Sequence, residues 1–366
     1  MKKNVIATIF FAVLLFAVSV TCWLKPETAF SESERRDLAK KPLLNAETLW
    51  SGEFMKSFEE YTTDQFPGRD FMRMTKALFS EYALGRIENN GLYTVGEHIS
   101  KIEYPENPDM VNISIEKMDT IYNKFLKDTD TKVYLSIVPD KNYFLAPKKG
   151  CITIDYNGFI DKFKTGLSYM EYIDIIPYLS EEDYYYTDSH WKQEKIGDVA
   201  WILGDRMGTD VTAEYKANTL DIPFMGVYAG QSALPTKGDT IKYLTSDTLD
   251  NCFVKYLNDK GFVVTGDLYN MEKASGKDPY ELFLSGTTPL VTIENPSAQT
   301  DKELVLFRDS FGSSLAPLLA EGYKKITVVD IRYIQQIDFL KNLIDFESQD
   351  VLFIYSTTLL NSGIGI

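Results

Sequence analysis

Histidine and cysteine are scarce in this 366-residue chain, with two of the first and three of the second. Cys22, Cys151 and Cys252 form no C-x-x-C pair and no disulfide framework of the kind that staples small secreted domains. His98 and His190 cannot by themselves build a His-rich metal centre. Basic charge is also short: 38 Lys and Arg stand against 53 Asp and Glu, for a net charge of −15. A nucleic-acid binder draws its affinity from a basic face, so that class of partner is excluded. Tryptophan is rare, whereas 23 Tyr and 22 Phe are present. Most such rings fill a core, and a Tyr-rich surface would also suit sugar or protein contact. No internal repeat and no low-complexity tract interrupts the chain, whose length suits one large or two ordinary domains.

Residues Val5 to Leu24 form an apolar stretch of 20, broken only by Thr8, Ser19 and Thr21. At a 1.5 Å rise per residue, that length spans a bilayer as one helix. Lys2 and Lys3 precede it in the manner of an export signal. Ala17-Val18-Ser19 offers a small-residue cleavage site whose use would release a soluble form; the length of the span favours an uncleaved anchor. Lys25, Arg35, Arg36, Lys40 and Lys41 follow the span, a count that alone would hold the body in the cytoplasm. Long domains cross largely regardless of charge, and a short basic head followed at once by an apolar run is the export pattern. The expectation is a single-pass membrane protein with its body outside the cytoplasm.

Phe54, Phe58 and Tyr61, then Phe71, Met74, Leu78 and Tyr82, fall at helical spacing on either side of Phe66-Pro67-Gly68. Residues 26–90 thus read as a helical lead-in to the body. Ile113 to Phe125 reads as a helix and Lys132 to Val138 as a strand that stops at Pro139-Asp140. Ile196, Val199, Leu203 and Met207 share one helical face. Residues 210–300 change to short, Gly-punctuated pieces, including a hairpin of 253–257 and 262–264 around residues 258–261, and look like a β-rich insertion outside the main sheet. The last 65 residues alternate regularly: strand 304–307, helix 314–323, strand 326–329, helix 334–346, strand 351–355. Apolar strands with helical crossovers mean a parallel sheet in an α/β sandwich.

Ser310 stands just beyond the carboxyl end of a strand and at the mouth of a helix, where that topology gathers functional groups. Its hydroxyl reads as a nucleophile beside helix N–H groups that can hold an oxyanion, or as an ordinary N-cap. The surrounding Arg308-Asp309-Ser310-Phe311-Gly312 is not the G-x-S-x-G elbow of α/β-hydrolases. A serine hydroxyl needs a base, and neutral imidazole suits that task near pH 7. His190 lies in Thr187-Asp188-Ser189-His190-Trp191, where Asp188 would orient the imidazole within one loop or would simply cap the next helix. Asp and His also bind metals, but no second histidine or cysteine cluster supports one. His98 reads as a loop residue with no role, and Cys151, which follows Lys148-Lys149-Gly150, has no base to pair with.

Thr187-Asp188-Ser189-His190-Trp191 followed by a helix resembles the signature of the DHHW proteins. These are relatives of the bacterial alginate O-acetylation proteins within the SGNH/GDSL hydrolase-like superfamily. The resemblance extends to Ser51-Gly52 through Asp64-Gln65-Phe66-Pro67-Gly68-Arg69, and resumes at Arg308-Asp309-Ser310-Phe311 and at Val329-Asp330-Ile331-Arg332-Tyr333. It covers most of residues 45–360 and is loose over 210–300. Ser189 stands where the family name has His, and Arg308 stands where Gly or Lys is more usual. The resemblance implies an SGNH hydrolase-like three-layer sandwich over residues 91–366, with Asp-x-His ahead of the serine block in chain order. It further implies Ser310 as nucleophile, His190 as base and Asp188 as its orienter, with Arg332, Tyr333 and Trp191 as substrate contacts, and neither metal nor cofactor. The function implied is an extracytoplasmic O-acetyltransferase or acetylesterase on a bacterial surface glycan or exopolysaccharide, served by a membrane-bound acetyl-donor partner. A glycan-binding or scaffold protein is the competing class; its mark would be a broken triad, and here no member is missing. A metal-dependent phosphoesterase would need more acidic or histidine ligands than the chain places together.

Overall fold

Leu304, Leu306, Leu352 and Ile354 are buried in one apolar cluster, while Val305, Phe307, Val351, Phe353 and Tyr355 are buried in another. That period of two means these strands bury both faces. In the computed structural model, which describes residues 2–31, 33–258, 261–334 and 336–362, they lie at the centre of an eight-stranded sheet. Its strands are β1 (Lys132–Val138), β2 (Glu171–Tyr172), β3 (Phe253–Leu257), β4 (Val263–Gly266), β5 (Leu290–Glu294), β6 (Glu303–Arg308), β7 (Lys325–Val329) and β8 (Asp350–Ser356). The order is β4-β3-β5-β7-β6-β8-β1-β2, with β7 to β2 mutually parallel and the β4, β3, β5 side antiparallel. Helices cover both faces: residues 197–207 and 311–319 pack into the first cluster, and Pro108–Ile121 and Tyr156–Gly166 into the second.

Two expectations change. The pieces β3, β4 and β5 extend the main sheet instead of forming a separate insertion, while Lys216–Phe224 and Asp239–Thr245 pair with each other apart from it. Val254, Tyr256, Val291 and Ile293 face the core while Lys255, Thr292 and Glu294 alternate with them, the half-solvated pattern of antiparallel strands. The hairpin tip at Asp259 and Lys260 lies outside the described residues. The helix expected over 334–346 is replaced by 3₁₀ turns at Ile331–Tyr333 and Ile337–Asn342. Ile334, Ile337, Leu340 and Leu343 recur every third residue, which is the 3₁₀ and not the α-helical period.

The chain forms two compact units. One holds residues 91–228 and 237–366, with the sheet. The other holds residues 1–90 with 229–236. In it, helix α1 (Lys2–Leu24) is long and apolar enough to cross a membrane. It is followed by α2 (Ala46–Trp50), α3 (Glu53–Asp64) and α4 (Arg69–Leu78). Charge ties these pieces together: Arg36 grips Asp64 through two bonds of 2.9 and 2.6 Å, and Glu34 pairs with Arg69 at 2.5 Å and Arg73 at 3.1 Å.

Candidate active site

Strand register brings the site together. Phe307 pairs with Val329 on one side and Phe353 on the other, so the residues after β6, β7 and β8 rise from one rim. Asp309 takes the capping role open to Ser310. Its Oδ1 accepts from Phe311 N–H at 3.1 Å and its Oδ2 from Ser356 N–H at 2.8 Å. Ser310 has helical backbone angles and makes no cap bond to the helix it opens, α6 (Phe311–Leu319), numbered after α5 (Gly197–Met207). Its hydroxyl is left for His190, whose Nε2 lies 2.7 Å away. A Cβ on Gly312 would come within 2.5 Å of Arg308 Cβ, so the first turn of α6 folds back over β6 only because that position is glycine.

The imidazole is held from its other side. His190 Nδ1 lies 2.6 Å from Asp188 Oδ1, which also accepts the His190 backbone N–H at 3.1 Å. Asp188 Oδ2 accepts Val227 N–H at 2.9 Å. A buried carboxylate with donors on both oxygens is fixed in orientation. The loop has its own clamp. Asp239 Oδ1 accepts Tyr186 N–H at 2.7 Å, and its Oδ2 accepts the Thr187 N–H and hydroxyl at 2.8 and 2.6 Å. Thr187 in turn receives Gly226 N–H on its hydroxyl and Tyr228 N–H on its carbonyl. A Cβ at Gly226 would sit 2.2 Å from Thr187 O, so this approach too requires glycine. Lys141, buried beyond the end of β1, donates to Tyr185 O at 2.9 Å and Tyr186 O at 3.1 Å. Burial pulls its ammonium down to about 7.

Tyr280 lies flat on the imidazole, with ring centroids 3.9 Å apart and planes 13° apart. Its hydroxyl meets Ser314 Oγ at 2.9 Å, and burial pushes its ionisation upward. Trp191, expected as a substrate contact, is fully buried, and its indole N–H donates to Phe311 O and Ser314 Oγ. That burial assigns it to the packing of α6 against the His190 loop, not to ligand contact. Arg332 directs Nε and Nη2 to Asp330 at 2.8 and 2.7 Å, and Tyr333 is exposed beside it. Arg308, fully buried, reaches the same Asp330 at 3.3 Å. His98 corrects another expectation: it lies in the strand His98–Lys101, buried edge-on against Tyr186, where burial holds its imidazole down to about 4.

Asp188, His190 and Ser310 are therefore brought into one hydrogen-bonded row from segments 120 residues apart. Asp239, Tyr280, Lys141 and Asp309 are the supporting residues that sequence reasoning missed. Lys141 carries a signal, since it follows the carboxyl end of a parallel strand, where sites gather. Asp239 and Tyr280 sit in the stretch read as an insertion and carry none.

No family model matches the chain, and no curated protein matches it by sequence. Solved structures do match. A DHHW family protein from Eubacterium siraeum superposes with a TM-score of 0.62 at 21% identity, covering 75% of this chain and 94% of that one. PatB1 of Bacillus cereus, solved with a sulfonyl adduct, gives 0.60 at 18% identity, covering 75% and 98%. A further structure of Bacillus cereus PatB1 gives 0.60 at 19%, covering 75% and 99%. The chain resembles the DHHW proteins in its motifs, and with a DHHW family protein and PatB1 it shares its fold.

Proposed function

We propose that this protein is a serine-dependent O-acetyltransferase or acetylesterase of the SGNH-like kind, acting outside the cytoplasm on a bacterial glycan. The observation that carries the reading is the row Asp188–His190–Ser310, at 2.6 and 2.7 Å. With Nδ1–H donating to Asp188, His190 Nε2 accepts the Ser310 proton. Ser310 Oγ then attacks the acetyl carbonyl, and His190 returns the proton to the donor oxygen as its bond to the acyl carbon breaks. An acceptor hydroxyl, from a sugar or from water, gives its proton to His190, takes the acetyl group and restores the serine. The N-terminal end of α6 supplies a positive end of dipole beside the oxyanion. Tyr280 stacked on the ring and Asp239 on the loop keep the base aimed. An acetyl donor outside the cytoplasm calls for a membrane partner, an expectation that follows from the compartment and the family resemblance.

Incubation with a sulfonyl fluoride or with 4-nitrophenyl acetate, followed by intact mass and peptide mapping, tests this reading. The expected product is one adduct, on Ser310, absent in Ser310→Ala. A chain that forms no serine adduct yet retains glycan in a pull-down would be a scaffold instead.

A further inference from the structure

In the unit built from residues 1–90 and 229–236, burial is inverted. Among its described residues the buried apolar side chains are Leu38, Ala77 and Ala229, while Asp64 is buried and Glu34 nearly so. The large apolar groups point outward: Trp50 is 89% exposed and Leu43 84%, and Leu49, Met55, Phe58, Phe71, Met72 and Phe79 are exposed as well. Water alone would not leave such side chains uncovered when the same helices bury carboxylates. Something apolar covers them.

Chain connectivity says what. Only three residues separate Leu24, the end of α1, from Thr28, so the four steps between them reach at most about 14 Å. Thr28 is stitched to the end of α3: its N–H donates to Gln65 Oε1 at 3.0 Å, and Gln65 Nε2 returns a bond to Thr28 O at 2.9 Å. Tyr61 of α3 also donates to Glu27 at 2.8 Å. Asp64 and Glu34 then tie α3 and α4 to the same short segment. If α1 crosses a bilayer, these helices are held at the surface where it emerges. Residues 25–90 hold ten basic and twelve acidic side chains, against 26 and 41 in residues 91–366. The near-balanced segment meets little repulsion from anionic headgroups. Trp23 and Trp50 are the residue type that settles at such interfaces.

We propose that α2, α3 and α4 lie on the bilayer that α1 enters, with Leu49, Trp50, Met55, Phe58, Phe71 and Met72 against lipid. This rests on α1 as a retained span and is independent of the acyl-transfer reading. The test uses the full chain, one copy per nanodisc of phosphatidylcholine and phosphatidylglycerol. Cys22, Cys151 and Cys252 are replaced by serine, and a nitroxide is attached to a single cysteine replacing Trp50, Met55, Phe71 or Glu60. Power saturation should find the first three labels several-fold more open to oxygen than to a water-soluble nickel chelate, and the label at position 60 the reverse. Equal access of the chelate to all four positions would overturn the proposal. Shielding that appears only in discs holding two copies would overturn it in favour of a self-interface, and shielding only after membrane extract is added would do so in favour of a protein partner. A mature protein whose intact mass lacks α1 would overturn it.

Discussion

In the sheet-bearing unit, Phe307 and Phe353 stack with centroids 4.6 Å apart in a fully apolar setting. In the N-terminal unit, the comparable buried group is the Asp64 carboxylate, gripped by Arg36 and by Ala39 N–H. The first unit is organised by dispersion and the release of water, the second by a handful of charge-assisted bonds between short helices. The two units are therefore vulnerable to different substitutions. A packed core fixes the rim of β6, β7 and β8 tightly enough to hold reacting groups. A charge clamp with its apolar side chains outward suits a piece that meets another apolar phase.

The contrast can be broken by substitution. The largest effect is expected from Phe353→Ala, which opens a cavity under the site and should cost about 3–5 kcal/mol of global stability in denaturant titration. Asp64→Asn should cost about 2 kcal/mol, confined to the N-terminal unit and read as faster amide exchange in α3 and α4. The pH dependence sharpens this point. Hydrogen bonding from Arg36 holds the Asp64 carboxyl down to about 2 from its ordinary 3.8. Its contribution is therefore complete above about pH 4 and is lost as pH falls toward 2. Asp64→Asn should flatten that acid limb, and an unchanged limb would refute the clamp.

Asp239→Asn should cost about 1–2 kcal/mol, because an amide NH2 then faces the loop's donors, and should lower kcat by roughly 10- to 100-fold, because the Thr187–His190 loop loses an acceptor and the base drifts from Ser310. Asp239→Glu should recover part of that loss, which a merely structural residue would not show. The smallest effect is expected at Phe58→Ala, about 0.5 kcal/mol or less of stability in the N-terminal unit, since that ring is not packed inside it. A cost comparable to Phe353→Ala would show that the N-terminal unit has a core after all.

The parallel half of the sheet was legible because its strands are short apolar runs with both faces buried; the run read at 132–138 is β1 itself. The antiparallel half was hidden by its own physics, since Lys255 and Glu294 on the open face break the apolar run and resemble loop composition. Asp188, His190 and Ser310 could be nominated from types and spacing. Their supports could not, because Asp239 and Tyr280 reach the loop through folding of a stretch with no local pattern. The N-cap alternative for Ser310 was undecidable from sequence; Asp309, one residue earlier, settles it by binding Phe311 N–H.

The central claim is that His190 activates Ser310. Rapid-quench measurement of Ser310 acetylation by 4-nitrophenyl acetate tests it most directly, comparing the parent with His190→Ala and with the His190→Ala, Ser310→Ala double variant. The parent should acetylate Ser310 at least about 10³-fold faster than His190→Ala, and the double variant should form no adduct. Equal acetylation rates with and without the imidazole would show that His190 does not activate Ser310.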